Sequence, residues 1–259
     1  KSDGSWTYFA PDIAYHGNKV ERGFDFLIDI LGADHGGYVR RMKAAVSGLS
    51  SGRIPLDIKI MQLVKLYKNG KPFKMSKRTG TFITMRDLVE RVGADVTRFV
   101  MLTRKNDAPI DFDFDKVLEQ SRDNPVYYVQ YAHARCCSVL RRAREHNIEV
   151  SDAILSCSDL SCLSHASELT VIKKLVEWPK LVETAAKTNE PHRIAFYLYE
   201  LANALHALWN KGNELSSLRF IQENDPKASQ AKIALIRSVC IVISAGLGIL
   251  GITPVKEMR

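Results

Sequence analysis

The chain has 259 residues, a quarter of them charged and 46% hydrophobic, with a formal net charge of +8; this describes an ordinary soluble protein able to bury one large core or two modest ones. Its five cysteines, Cys136, Cys137, Cys157, Cys162 and Cys240, are odd in number, include an adjacent pair and lack C-x-x-C spacing, which argues against a disulfide framework or a structural zinc site and fits a reducing cytoplasm. The apolar run from Val239 to Ile252 is shorter than the roughly 20 residues a bilayer requires and holds three glycines, so a buried helix ending near Gly246 to Gly251 is expected, not a membrane span.

The text opens at Lys1 already rich in turns and aromatics, as a piece of a longer chain would. Phe26 to Leu31 is a short apolar run stopped by Gly32-Ala33-Asp34-His35, which reads as a buried strand delivering polar groups at its carboxyl end, where open α/β sheets bind ligands. Met61 to Tyr67 is a second predicted strand. Asn69-Gly70 then supplies the dipeptide of a type I′ hairpin, leading through Lys71-Pro72-Phe73 into Lys74-Met75-Ser76-Lys77-Arg78. No acidic residue occurs between Asp57 and Asp87, while Lys59, Lys65, Lys68, Lys71, Lys74, Lys77, Arg78 and Arg86 do. The basicity is therefore local, and two lysines three apart on a turn suit a polyphosphate, although a solvated basic loop has the same composition. Asp87 is placed to cap a single helix carrying Leu88, Val92, Val96, Phe99 and Val100, with Gly93 as a tolerated weak point.

Composition shifts to helical periodicity between Thr103 and Asn124, dividing the chain into residues 1–123 and 124–259. Pro125 opens a helix with Tyr127, Tyr131, Ala134 and Ser138 on one side and Arg135 and Arg142 on another. Residues 155–163 read as a connecting loop, and Trp178-Pro179 as a kink or break in a helix. A helix from Pro191 repeats Ile194, Leu198, Leu201, Leu205 and Leu208 in 4-3-4-3 steps; the last, behind Asp225-Pro226, turns Leu235, Val239 and Val242 inward. Such helices make a bundle.

K-M-S-K-R differs at one position from the K-M-S-K-S signature of class I aminoacyl-tRNA synthetases. Thr7 to His16, Gly32-Ala33-Asp34-His35, the lysine loop running into Gly80-Thr81-Phe82, Asn124 to Arg135, Glu190 to Ala195 and Leu250 to Pro254 together resemble bacterial arginyl-tRNA synthetases in the same order along essentially the whole chain. The resemblance implies the later part of a Rossmann-like catalytic domain (an α/β remnant) over 1–123 and an all-α anticodon-binding bundle over 124–259. It implies ATP-dependent activation of L-arginine and transfer to tRNA-Arg, with Mg²⁺ on the ATP, in a cytoplasmic monomer with no membrane partner and no resident metal.

By the same resemblance Tyr8 and Asp12 hold arginine, the carboxylate being suited to accept two parallel hydrogen bonds from a guanidinium; Asp34 and His35 hold adenosine and the substrate amino group; and Lys74, Ser76 and Lys77 meet ATP, the lysines acting in catalysis. Tyr128, Tyr131 and Arg135 on the first bundle helix, and Met258 near the tail, are the implied tRNA contacts. Taken singly, Asp12 is equally a cap, Gly-Ala-Asp-His a turn, and Tyr127 with Tyr131 bundle core. Arg78 departs from the family's serine, and no His-x-Gly-His tetrapeptide occurs. The expected form is thus a ligase fragment inactive alone. A free-standing tRNA-binding module or another class I nucleotidyltransferase with a helical tail are the alternatives.

Overall fold

The computed structural model describes residues 2–73, 83–119, 121 and 124–258. It divides into two compact units, Lys1–Lys65 with Lys105–Asp111, and Leu66–Arg104 with Phe112–Arg259. Compactness therefore groups residues 66–104 and 112–123 with the helical half, whereas composition alone divides the chain at 123/124.

In the first unit, α1 (Phe9–Glu21) precedes β1 (Leu27–Gly32), a 3-10 turn over Ala33–Tyr38, α2 (Val39–Leu49) and β2 (Leu56–Met61). The strands pair in parallel, Leu27 opposite Leu56 and Gly32 opposite Met61, and α2 is the crossover that a parallel pair requires. Leu27, Leu56 and Ile58 pack on Met42 and Val46 of α2, with Phe9, Leu31, Val39, Ile54 and Ile60 around them. The fully buried strand expected at Phe26–Leu31 is instead two-faced: Ile28 and Ile30 lie on the other side, Ile30 being 71% exposed. A continuous apolar run signals a parallel strand covered on both faces, and among the described residues only one face is covered. The second predicted strand, Met61–Tyr67, divides into β2 and β3 (Val64–Lys68). The break has a local cause: the Gln62 amide leaves the ladder to donate to the Asn106 carbonyl at 2.9 Å, while Asn106 Nδ2 donates to the Ile60 carbonyl at 3.0 Å.

The hairpin forms as read. β4 (Lys71–Pro72) pairs antiparallel with β3, Lys68 opposite Lys71, leaving Asn69 and Gly70 as the two turn residues. Both have positive φ, 51° and 67°, as a type I′ turn demands. β5 (Ile110–Asp113) takes the other edge of β3, in the order β4-β3-β5.

One expected helix is two. α3 (Met85–Val92) and α4 (Ala94–Met101) meet at Gly93, whose φ of 89° and ψ of 149° end the first helix and open the second. The cap is Thr84 rather than Asp87: Thr84 Oγ1 accepts from the Asp87 amide at 3.1 Å and the Asp87 carboxylate accepts from the Thr84 amide at 2.8 Å, a capping box with Asp87 at its third position. Leu88, Val92, Phe99 and Val100 are buried across both helices.

The bundle comprises α5 (Pro125–Glu145), α6 (Asp152–Leu155), α7 (Ala166–Thr188), α8 (His192–Glu214) and α9 (Pro226–Ile249). Asn124 starts α5: its Oδ1 accepts from the Val126 and Tyr127 amides at 3.1 and 3.3 Å, and its Nδ2 donates to the Val117 and Glu119 carbonyls at 2.9 and 2.8 Å. Ile194, Leu198, Leu201, Leu205 and Leu208 are all buried in α8, as their spacing requires. Helix α9 is long and apolar enough to cross a membrane, yet Ile233, Ile236, Val239, Ile243 and Leu247 are fully buried in the bundle. Ile243, not the half-buried Val242, completes that inward row. Pro179 sits inside a continuous α7. The proline withholds a donor from the Leu175 carbonyl, four residues earlier; at the neighbouring position the Lys174 carbonyl accepts from the buried Tyr197 hydroxyl at 2.6 Å and ties α7 to α8.

Candidate functional site

The first turns of α5 present a half-buried aromatic surface completed by α8. Tyr127 and Tyr131, one turn apart, stack with centroids 5.8 Å apart and 14° between planes. Arg135, a turn further on, places its guanidinium 4.4 Å from the Tyr131 ring and 4.6 Å from that of Trp209 on α8. Arg135 Nη1 donates to His206 Nδ1 at 3.0 Å, while His206 Nε2 faces the Tyr128 carbonyl at 3.3 Å. An arginine nitrogen only donates and a carbonyl only accepts, so this geometry selects the Nε2–H tautomer of His206. Tyr128 lies against the His206 and Tyr199 rings, with centroids 4.5 and 5.2 Å away, and its hydroxyl donates to Asn203 Oδ1 at 3.2 Å.

The structure thus brings the expected Tyr128, Tyr131 and Arg135 together and adds His206, Trp209 and Tyr199. Spacing on α8 hints at the additions, since His206 and Trp209 flank the Leu205 and Leu208 core positions. Arg135 is held in a sandwich between two rings, which fixes its charge at the rim of the surface. Such an array of ring faces and one planar cation suits unstacked bases.

Met258 lies elsewhere. The tail runs along α5 through Gln130 (Nε2 to the Thr253 carbonyl, 2.9 Å; Oε1 from the Val255 amide, 2.8 Å), His133 (2.8 Å to the Val255 carbonyl) and Arg141 (3.4 Å to Glu257). At about 100° per residue, positions 130, 133, 137 and 141 face away from 128, 131 and 135. Met258 and the aromatic cluster are therefore two places on the bundle, not one.

In the first unit Tyr8 stands at the amino end of α1, and Asp12 follows one turn later; both are exposed. Asp34 and His35 fall in the 3-10 turn after β1, with a carboxylate-to-Nε2 separation of 3.7 Å. Tyr38 connects these regions: its ring lies 5.9 Å from that of Phe9, beside Tyr8, and 5.8 Å from that of His35. The start of α1 and the carboxyl end of β1 are thereby neighbours. Beneath them is a group the sequence reading missed. Asp29 points to the covered face of β1, where its oxygens meet His16 Nε2 at 2.8 Å and Lys19 Nζ at 2.9 Å, and His16 Nδ1 reaches the Asp12 carbonyl at 2.7 Å. This largely buried network ties α1 to β1 and so fixes the turn that carries Asp12. A polar residue alternating with Leu27 and Leu31 was the available signal. Lys74, Ser76 and Lys77 lie outside the described residues.

Residues 129–258, half of the chain, match the DALR anticodon binding domain. Over its full length the chain is 74% identical to the arginine–tRNA ligase of Ruegeria pomeroyi and 72% identical to that of Cereibacter sphaeroides strain ATCC 17025, spanning 45% and 44% of those proteins. It therefore covers less than half the length of these curated relatives. Among solved structures, an arginyl-tRNA synthetase from Campylobacter jejuni superposes with a TM-score of 0.83 at 30% identity, covering all of this chain and 54% of that one. The Thermus thermophilus arginyl-tRNA synthetase shares the fold with a TM-score of 0.72 at 21% identity, covering all of this chain and 50% of that one. The matched bundle helices, the identity along the whole chain and the shared fold agree, and the chain belongs to the DALR anticodon-binding family in the form carried by bacterial arginyl-tRNA synthetases.

Proposed function

We propose that this chain works as part of an arginine–tRNA ligase, supplying the anticodon-binding bundle and a portion of the nucleotide-binding fold. The observation that carries the reading is the 74% identity to the Ruegeria pomeroyi ligase over all 259 residues. The α5/α8 surface around Tyr128, Tyr131 and Arg135 takes unstacked bases of the tRNA anticodon loop, with Met258 reaching the same RNA from the tail. Tyr8 and Asp12 hold the arginine guanidinium, and Asp34 and His35 the adenosine and the α-amino group. Lys74, Ser76 and Lys77 face the triphosphate of ATP, which brings its own Mg²⁺; the lysine charges stabilise the departing pyrophosphate more than bound ATP and so accelerate adenylate formation.

The chain alone binds tRNA and forms no adenylate. The test joins it to the upstream part of the Ruegeria pomeroyi ligase. The chimera should charge tRNA-Arg with arginine, and Lys77→Ala should lower arginine-dependent pyrophosphate exchange by about 10²- to 10³-fold, the range seen when a preorganised electrostatic group is removed. A folded chimera that charges no tRNA, while the chain alone still binds it, would instead favour a tRNA-binding module without catalysis. Exchange by the isolated chain would contradict its inactivity.

A further inference from the structure

Facing away from the aromatic surface, α5 and α9 bring together three side chains with metal-binding atoms. His133 and Cys137 are one turn apart on α5, and Cys240 comes from α9. Cys137 Sγ is 4.0 Å from Cys240 Sγ, Cys240 Sγ is 3.5 Å from His133 Nε2, and one ligand atom from each residue lies within 4.8 Å of the other two. A tetrahedral zinc ion with bonds of about 2.3 Å to sulfur and about 2.0 Å to nitrogen has edges of about 3.8 Å between sulfurs and about 3.5 Å between sulfur and nitrogen. The Cys137–Cys240 and Cys240–His133 separations match those edges; the Cys137 sulfur lies 3.8 Å from the other ring nitrogen, Nδ1, and closes the triangle within 4.8 Å.

The histidine is already oriented for a metal. Its Nδ1 lies 2.8 Å from the Val255 carbonyl, which only accepts, so Nδ1 carries the proton and Nε2 turns its lone pair toward Cys240. A backbone carbonyl behind the imidazole is the usual outer partner of a metal-bound histidine. His133 and Cys240 are buried and Cys137 is half-buried, beside a cavity of about 650 Å³ lined by Arg141, Arg144, Arg237 and Lys256 among others. These cations favour thiolates. Without a metal the two thiols share one proton: the Cys240 thiol holds Cys137 well below the ordinary thiol range, and Cys137 together with burial pushes Cys240 well above it.

We propose that His133, Cys137 and Cys240 bind a thiophilic d¹⁰ cation, represented by Zn²⁺, through two thiolates and one imidazole, with a fourth position open to the cation-lined cavity and suited to an anion. Two thiolates neutralise the dication, and Cys240 gives up its proton on binding. The ion joins α5 to α9 and, through His133 and Val255, stiffens the tail that ends in Met258. The site is independent of the ligase reading.

The test uses the reduced, metal-free chain and zinc chloride, with Co²⁺ as a spectroscopic substitute. One equivalent should bind, and Co²⁺ should give a thiolate-to-metal charge-transfer band. Loss of an outer partner commonly weakens a site 10- to 100-fold, so losing a ligand in C137S, C240S or H133A should cost more than about 100-fold. C157S/C162S should bind as the parent does. Alkylation mapping of the parent avoids any folding defect in the variants: Zn²⁺ should protect Cys137 and Cys240 and leave Cys157 and Cys162 reactive. The proposal is overturned if the parent retains no zinc, if C137S binds it unchanged, or if protection falls on Cys157 and Cys162.

Discussion

Asn124→Asp separates an ordinary surface cap from the one this structure builds. At an exposed helix start aspartate is as good an N-cap as asparagine, and its charge gains a further 0.3–1 kcal/mol or so from the helix dipole. Here Asn124 is 5% exposed and uses both ends of its amide. Oδ1 must accept from the Val126 and Tyr127 amides, and Nδ2 must donate to the Val117 and Glu119 carbonyls, so neither end can change places with the other. In the aspartate variant the second oxygen faces two carbonyl oxygens at the distances now occupied by hydrogen bonds. Two lost bonds at about 1–1.5 kcal/mol each, plus the cost of a poorly paired buried oxygen at about 1–3 kcal/mol, less the cap's gain, leave a net loss of about 2–6 kcal/mol. Urea unfolding followed by helical circular dichroism should show a lower midpoint with an unchanged slope. An aspartate variant as stable as the parent, or more so, refutes the two-ended role.

Further tests bear on packing, the cluster and the thiols. A β-carbon on Gly246 would stand 2.6 Å from Leu198 Cδ2, and Leu198 is fully buried, so Gly246→Ala should destabilise by about 1–2 kcal/mol despite better helix propensity. In a Leu198→Ala background, itself worth about 2–5 kcal/mol, the same change should become neutral or favourable; equal cost in both backgrounds, measured as a double-mutant cycle, would remove the steric explanation. Arg135→Lys keeps the charge but loses the planar contact with Tyr131 and Trp209, and should cost about 1–2 kcal/mol of bundle stability by thermal melting, besides weakening tRNA binding in a filter or fluorescence assay. Because the Cys240 thiol and then His133 lower the Cys137 pKa, the thiolate persists as pH falls through the ordinary thiol range. Its alkylation in metal-free protein should stay nearly flat from about pH 8 to about pH 6, where a free model thiol slows about tenfold per unit. A parallel fall would show that Cys137 is protonated like any other thiol.

The order of residues determined what short-range physics controls. Asn69-Gly70 is the pair that tolerates left-handed backbone twice, so the hairpin was legible. The 4-3-4-3 leucines of α8 leave only one face to bury, so the bundle was legible too, whereas Tyr128, Tyr131 and Arg135 came from the family resemblance, the spacing alone having put Tyr131 and Arg135 on different sides. The tertiary structure decided what depends on partners distant in sequence. Ile28 and Ile30 look like core until the second face of β1 is found uncovered among the described residues. Gln62 leaves its strand because Asn106, 44 positions away in sequence, offers a carbonyl. His206 and Trp209 join Arg135 only once α8 packs on α5, and cysteine spacing that argues against a structural zinc site carries no signal of the His133, Cys137 and Cys240 triangle, which forms only where α9 packs on α5. Local propensity acts over a few residues through backbone sterics, whereas sites such as these are set by helix packing, which places side chains by crossing geometry and not by their separation along the chain.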